Sequence, residues 1–239
     1  MNKPDAAGFT RHRTTHHYFK QFHEFIRLIL FCYNKIRDTE FIDIEKIQKE
    51  KKIALEDFLK YNLVDYLRKN KRHFPVIRHV LIIAESGEYN SRDDKESFCD
   101  IAVYFHDHGF VTEALEHYTI EEDIYFAFEC KRLKHKSKNS QYIEQGIKRY
   151  VENAYAGAMP FAGMIGFVEA GEIHTIVNDI NQRLSSLHKD DKLISSQCLC
   201  FFEFDTGFEY SFQSKHPRTN NNEIALYHIF LDYRFNAIL

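Results

Sequence analysis

Tryptophan is absent from this 239-residue chain, and glycine and proline are scarce, with nine and four residues. No low-complexity tract or internal repeat is present, and 44% hydrophobic residues are typical of a globular protein with a buried core. The five cysteines form no CxxC pair. An odd number of cysteines without that spacing argues against a disulfide framework and indicates a reducing compartment.

Long apolar runs are also missing. The longest uncharged apolar run, residues 154–168, is divided by Pro160 and is shorter than the roughly 20 residues that a membrane helix needs. The first 17 residues are polar and lack the apolar centre of a signal peptide. We therefore expect a cytoplasmic protein that has no membrane partner.

Several catalytic fingerprints are absent as well. The sequence has no glycine-rich phosphate loop, no GxSxG and no HExxH. His106 and His108 have a spacing that suits zinc, but no second Cys or His pair of suitable spacing accompanies them. Tight packing of a strand against a helix is the expected role of four glycines: Gly157, Gly163, Gly166 and Gly171.

The net charge of −3 excludes a chain that is basic overall, so nucleic-acid binding would need a local patch. Residues 129–150 contain seven Lys or Arg and two Glu. Such a segment can bind a phosphate backbone or can simply be a solubilising loop. The predicted nucleic-acid-binding residues are Arg132, Lys134, Lys136, Lys138 and Arg149. A weaker basic group follows at Lys215, His216 and Arg218.

The hydrophobic period changes along the chain. Two helical patterns, at 16–37 and about 43–70, precede a series of strand patterns that starts after Pro75. Strands are predicted at 76–85, 98–105, 123–131 and 161–171, helices at 141–157 and 172–187, and a hairpin around 205–207. Residues near 225–233 suit a strand or a short helix.

Three successive strands followed by a helix predict an α/β fold with a mixed central sheet flanked by helices. We expect one domain over 1–239, with an N-terminal helical part at 1–70 and a sheet-containing core at 71–239. The apolar helix at 22–31 is a candidate dimer surface, and packing on the chain's own sheet is the alternative.

The strand FAFECKRL, residues 126–133, ends by placing Glu129 and Lys131 two residues apart. Residues at i and i+2 of a strand share a face. Burying a carboxylate and an ammonium there is costly unless they are used, and a divalent cation offers a use. Asp100 lies in the preceding strand and would approach Glu129 if the two strands are antiparallel.

An acidic residue in a second strand, a strand that ends in Glu-x-Lys, then a helix and a strand resemble the PD-(D/E)XK nuclease superfamily. The motif here is Asp100 with Glu129-Cys130-Lys131, and the resemblance covers roughly residues 50–170. Cys99 stands where that family often has proline. The resemblance implies a restriction-endonuclease-like αβββαβ core preceded here by N-terminal helices.

The resemblance also implies a metal site. Asp100 and Glu129 would bind Mg²⁺ or Mn²⁺, with Glu56 from the preceding helix as the additional acid and Glu85 as its competitor. Lys131 would steer water or stabilise the transition state. Some branches of the family carry Gln-xxx-Tyr in the next helix. Gln145 is therefore a catalytic candidate. The position four residues later is Arg149 and not the tyrosine of that motif, and Tyr150 follows it.

These residues predict a metal-dependent nuclease. The resemblance implies a magnesium-dependent deoxyribonuclease that leaves a 5′-phosphate and a 3′-hydroxyl, and a homodimer is expected because many relatives pair two sites to cut two strands. A role in restriction or phage defence follows only from the way such nucleases are often used. Two other hypotheses stay open. One is a catalytically inactive nuclease-fold module that acts as a nucleic-acid-binding or protein adaptor, and the other is a small-molecule enzyme on an unrelated α/β sheet.

Overall fold

A computed structural model describes residues 6–40, 42–50, 53–90, 95–104, 125–134, 136–154, 159–187, 197–218 and 222–234. Its centre is a seven-stranded mixed sheet that carries helices on both faces. This architecture confirms the predicted α/β class. In the described ranges, no helix is both long and apolar enough to cross a membrane.

The helices begin with α1 (Ala6–Thr39), α2 (Ile44–Glu50), α3 (Leu55–Asn70) and a 3₁₀ turn (Lys71–His73). The first three strands are β1 (Leu81–Asn90), β2 (Lys95–Tyr104) and β3 (Tyr125–Leu133). Next come α4 (Lys136–Tyr142), a π-helical turn (Ile143–Ile147), α5 (Lys148–Val151), β4 (Phe161–Val168) and α6 (Ile173–Ser185). The last strands are β5 (Cys200–Phe201), β6 (Ser211–Pro217) and β7 (Glu223–Asp232).

The strand order across the sheet is β1-β2-β3-β4-β7-β6-β5. The pairs β1–β2 and β2–β3 are antiparallel, whereas β4 lies parallel to both β3 and β7. A parallel pair needs a crossover, and the helices α4 and α5 provide it between β3 and β4. Beyond β7, the strand β6 pairs antiparallel with β7, and β5 pairs antiparallel with β6 and forms the second edge of the sheet.

The apolar stripe of α1 packs against the chain's own sheet. The ring of Phe22 stacks on Phe128 with a centroid distance of 5.4 Å and meets Phe126 edge-on at 5.2 Å. Phe25 and Ile29 are also fully buried. Of the two alternatives for this helix, packing within the chain is therefore the one observed, and the stripe is not available as a dimer surface.

The opposite face of the sheet is covered by α4, α5 and α6. Tyr142, Ile147 and Tyr150 are fully buried there, and the Tyr150 hydroxyl donates a hydrogen bond of 2.9 Å to the carbonyl of Gly163. The π-helical turn brings the α4–α5 backbone close to the sheet, because a Cβ atom on Gly146 would lie 2.5 Å from Met164.

Several element boundaries differ from the sequence-based predictions. The pattern at 43–70 forms two helices, and β1 starts at Leu81 and continues through polar residues that we expected to form a turn. Pairing with β2 explains the longer strand, since the neighbouring strand satisfies its main-chain groups. The basic segment 134–140 becomes helical at Lys136, and the 225–233 pattern is the strand β7.

At Gly163 the tightest contact is with a neighbouring strand, whereas the helix α5 reaches its carbonyl through Tyr150. A Cβ atom there would lie 2.0 Å from the ring of Phe128 on β3. Similar crowding at Gly166 comes from Leu133 and Phe230. Gly171 has a φ of 85°, and Gly157 lies outside the described residues.

We expect Gly163→Ala to lower the free energy of unfolding by roughly 1–3 kcal/mol, because the Phe128 ring is held by Phe22 and cannot move away freely. Denaturant unfolding monitored by circular dichroism measures this loss. Adding Phe128→Leu should reduce the cost of the glycine substitution. Strictly additive losses in the double variant would contradict the proposed clash.

Candidate active site

The backbone pairing of β2 with β3 ends at the site. Past that point, side-chain carboxylates accept the hydrogen bonds that main-chain N–H groups of β3 donate. β2 pairs with β3 only over residues 101–104. Beyond that point, the main-chain N–H of Cys130 donates to Asp100 Oδ2 at 2.7 Å, and that of Arg132 donates to Glu56 Oε2 at 2.9 Å. The gap between the two strands is therefore lined by carboxylates that the backbone itself holds in place.

The Lys131 ammonium lies among three carboxylates. Its Nζ is 2.7 Å from Glu129 Oε1, 3.8 Å from Asp100 Oδ2 and 3.8 Å from Glu56 Oε1. The three residues of the sequence motif thus meet within 4 Å, together with the acid predicted from the preceding helix. Glu85, the competing acid, instead contacts Lys60 at 2.9 Å.

Burial is deepest at Glu129, whose side chain is fully shielded from solvent, while Lys131 retains 12% exposure. Burial raises the pKa of Glu129, and the Asp100 carboxylate raises it further, whereas Lys131 and Arg149 oppose the shift. A buried network of this kind adds little stability compared with apolar packing. Its presence is better explained by a use of the charges than by folding.

Lys131 stays protonated at neutral pH. Burial alone would lower its pKa, but the carboxylates of Glu129, Asp100 and Glu56 outweigh that effect and raise the pKa above its ordinary value. A lysine held in this state cannot accept a proton from water. It can supply a fixed positive charge beside a group that becomes more negative during a reaction.

Two of the predicted nucleic-acid-binding residues are engaged in ion pairs within the chain. Arg149 Nη1 lies 2.9 Å from Glu129 Oε1, and Arg132 forms a two-point contact with the buried Glu169. Lys138 donates to Gln141 at 2.8 Å. Lys134 is exposed, and the side chain of Lys136 lies outside the described part of the structure.

Gln145 is exposed on the π-helical turn, whereas Tyr150 is fully buried and donates to Gly163. The two side chains therefore do not share one surface. The weaker basic group after the last hairpin is also largely internal. His216 and Arg218 are buried, and Lys215 pairs with Glu223 at 3.5 Å.

Lys60 is a member of the site that the sequence did not reveal. Its Nζ contacts Asp57 Oδ1 at 3.0 Å, Glu85 Oε1 at 2.9 Å and Asp100 Oδ1 at 3.2 Å, and only 2% of the residue is exposed. In the sequence it stands at i+3 from Asp57 on a charged helix. That spacing indicates a surface ion pair and gives no signal of burial.

The cluster carries an excess of negative charge. With every side chain ionised, its five carboxylates and three cations leave a formal charge of −2. The carboxylates are Glu56, Asp57, Glu85, Asp100 and Glu129, and the cations are Lys60, Lys131 and Arg149. Oxygen ligands and a charge of −2 suit a divalent ion such as Mg²⁺.

The same carboxylates are bridged by the chain's own cations. In the ranges that the structure describes, no group of three or more His, Cys, Asp or Glu side chains is arranged to hold a metal ion by itself. The donor chemistry therefore fits a hard divalent cation, whereas the spacing shown is that of carboxylates paired with lysine and arginine. His106 and His108 lie outside the described residues.

Comparison with known proteins adds no family to these observations. The chain matches no protein-family model, no curated protein and no solved structure at a significant level. The geometry and chemistry of the site are therefore the basis for assigning a function.

Proposed function

We propose that this protein is a metal-dependent nuclease that hydrolyses phosphodiester bonds in DNA. The observation that carries the proposal is the meeting of Asp100, Glu129 and Lys131 in the gap between β2 and β3, with Glu56 beside them. The order α3-β1-β2-β3-α4/α5-β4 supports the further proposal of a restriction-endonuclease-like αβββαβ core. Membership of the PD-(D/E)XK superfamily is part of this proposal.

Asp100 and Glu129 would hold one Mg²⁺ or Mn²⁺, and Glu56 would contribute directly or through water. When bound, such an ion polarises a phosphoryl oxygen and favours ionisation of a water molecule. The formal charge of −2 in the cluster supports this assignment, because a divalent ion would neutralise it.

The protein's own contribution is electrostatic. Lys131 presents a charge that its neighbours keep protonated, and it would stabilise the negative charge that develops on the phosphate. The side chain of Arg149 is 35% exposed at its contact with Glu129. Part of this side chain is open to solvent, where it would contact a phosphate of the substrate, and bidentate recognition of phosphate is typical of arginine.

DNA is the proposed substrate, on the basis of the resemblance and of the basic segment beside the site. Lys134 and Lys136 would contact the phosphate backbone, together with Lys138, and Gln145 would position the substrate from the π-helical turn. Cleavage would leave a 5′-phosphate and a 3′-hydroxyl. Restriction or phage defence is the proposed setting, with a homodimer as one way to cut two strands.

A second candidate is a catalytically inactive module of the same fold that binds nucleic acid or protein. The specific observation in its favour is the pairing of Glu129 with two cations at once, Lys131 at 2.7 Å and Arg149 at 2.9 Å. Such pairing is compatible with a site in which the chain's own cations, and not a metal ion, compensate the buried Glu129 carboxylate.

A cleavage assay separates the two candidates. The protein is incubated with plasmid and with single-stranded DNA in Mg²⁺, in Mn²⁺ and in a chelator. We expect cleavage with either metal and none with the chelator. Asp100→Asn, which keeps the shape of the side chain and removes its charge, should abolish cleavage by weakening the metal site.

Circular dichroism of Asp100→Asn controls for folding, since Asp100 also accepts the hydrogen bond from Cys130. DNA binding without cleavage by the unmodified protein in every metal would reject the nuclease and support the binding module. Cleavage that persists in the chelator would reject the proposed role of the metal.

A further inference from the structure

The Lys60 ammonium occupies a cage made by carboxylates from three different elements. Asp57 belongs to the same helix, α3, whereas Glu85 comes from β1 and Asp100 from β2, and all three lie within 3.2 Å of Nζ. Lysine is almost never fully buried unless it is paired. The cage therefore satisfies the three donors of an ammonium in a way that a surface ion pair does not.

The two carboxylate oxygens of Asp100 face two different ammonium groups. Its Oδ1 faces Lys60 at 3.2 Å, and its Oδ2 faces Lys131 at 3.8 Å and accepts from the main chain of Cys130. In a site with two metal ions, a shared aspartate commonly bridges the pair. Here the carboxylate bridges the two lysines, and one of them lies beside the metal position proposed above.

The backbone at Glu85 is strained where it completes the cage. Its φ is 57°, a left-handed conformation that is unfavourable for a residue with a Cβ atom. The pairing of β1 with β2 omits Glu85 and Asp100, which stand opposite each other, and the same register continues on both sides of them. The carboxylate also accepts a hydrogen bond from Tyr61. Strain of this kind persists where surrounding contacts impose it, and it is concentrated at functional sites.

We propose that Lys60 is a positioning residue that fills a second cation position, so that the site binds a single divalent ion. The inference depends on the proposed function for the first ion, but it concerns a different set of carboxylates. The Lys60 ammonium holds Asp100 at a fixed place and orientation, and it supplies the positive charge that a second metal ion would otherwise bring.

Removing the ammonium should open the cage. Lys60→Met keeps most of the volume of the side chain and leaves the carboxylates of Asp57, Glu85 and Asp100 without their cation. We expect this variant to bind one more Mn²⁺ per chain than the unmodified protein. Lys60→Arg, which retains the charge, is the matched control and should bind the same number as the unmodified protein.

The electron paramagnetic resonance signal measures the concentration of free Mn²⁺, and the difference from the total gives the number of ions bound per chain. The measurement needs neither DNA nor an activity assay. An unmodified protein that binds two ions, or a Lys60→Met variant that binds the same number with the same affinity, would overturn the inference. A protein that binds no ion until Lys60 is replaced would support the assignment of Lys60 to a cation position, but it would overturn the single bound ion and count against the proposed nuclease.

Folding of the variant is controlled separately. If Lys60→Met does not fold without metal, Lys60→Gln provides an amide donor to the same carboxylates, and the titration is repeated. Folding of either variant only when Mn²⁺ is added supports the inference, because the ion then replaces the ammonium. Failure of both to fold at any Mn²⁺ concentration would overturn it.

Discussion

Replacing Lys131 by methionine is expected to slow Mg²⁺-dependent DNA cleavage about 100- to 1,000-fold, the loss that follows removal of one preorganised electrostatic donor. The ammonium lies 2.7 Å from Glu129, and the surrounding carboxylates raise its pKa. Its charge is therefore in place before the reaction starts and requires no reorganisation. Single-turnover cleavage of a labelled duplex at saturating Mg²⁺ measures the effect on the chemical step.

Two comparisons make this result specific. Lys49→Met removes a lysine that pairs with Glu45 on the exposed helix α2, and it should leave the rate unchanged. Lys131→Arg keeps the charge and should retain more activity than Lys131→Met. A Lys131→Met variant that cleaves at the normal rate, with its metal requirement intact, would exclude any role of this ammonium in the reaction.

Acidification is expected to destabilise the protein through two buried histidines. His216 and His228 are both fully buried, and the Ser214 hydroxyl lies 2.6 Å from the Nε2 atom of each ring. The Tyr142 hydroxyl contacts His228 Nδ1 at 2.9 Å. Because one hydroxyl carries a single proton, Ser214 can donate to only one ring and must accept from the other, so the two Nε2 atoms differ in protonation.

The sign of the effect follows from the pKa shifts. Burial lowers the pKa of His216 to about 3, and burial together with the neighbouring His216 lowers that of His228 well below its usual value of 6.5. Between pH 6.5 and 3, the unfolded chain therefore binds more protons than the folded protein. Stability falls as the pH falls, by about 1.4 kcal/mol per pH unit for each histidine.

Denaturant unfolding at several pH values between 6 and 5 tests this window, which lies above the ordinary range of the carboxylates. His216→Gln should reduce the slope by somewhat less than half, since one of the two fully buried imidazoles is lost while His23, whose pKa burial also lowers, keeps its contribution. The exposed His174 is the control, and His174→Gln should leave the slope unchanged. An unchanged slope in His216→Gln would contradict the assignment. Glu129, with its raised pKa, works in the opposite direction and cannot produce the expected loss.

Local sequence patterns predicted the elements that carry the site. The alternation in FAFECKRL predicted a strand with Glu129 and Lys131 on one face, and the apolar stripe of α1 predicted a helix that buries Phe22 and Phe25. Both predictions depend only on neighbours within a few residues, where the periods of strand and helix determine the direction of side chains. Boundaries were less predictable, because strand pairing extended β1 through polar residues.

The basic segment shows why charge patterns alone were insufficient. Sequence placed Arg132 and Arg149 in a surface that contacts phosphate, but each pairs with a buried carboxylate, Glu169 or Glu129. These partners lie 37 and 20 residues away in the chain. Local composition does not indicate pairing between residues that are so far apart in the sequence. The number of Lys and Arg side chains available to contact a nucleic acid was therefore not predictable.

The amino-acid sequence by itself determined a composition typical of a buried core, the α/β class and the succession of three strands, helix and strand that carries the site, because these depend on composition and short-range periodicity. Only the tertiary structure decided that β2 and β3 separate beside Asp100, that Glu56 binds the freed backbone and that Lys60 is buried among three carboxylates. Apart from the pair of Lys60 with Asp57, those contacts join residues 25 to 76 positions apart. Their energy comes from charges that become neighbours only when the chain is folded.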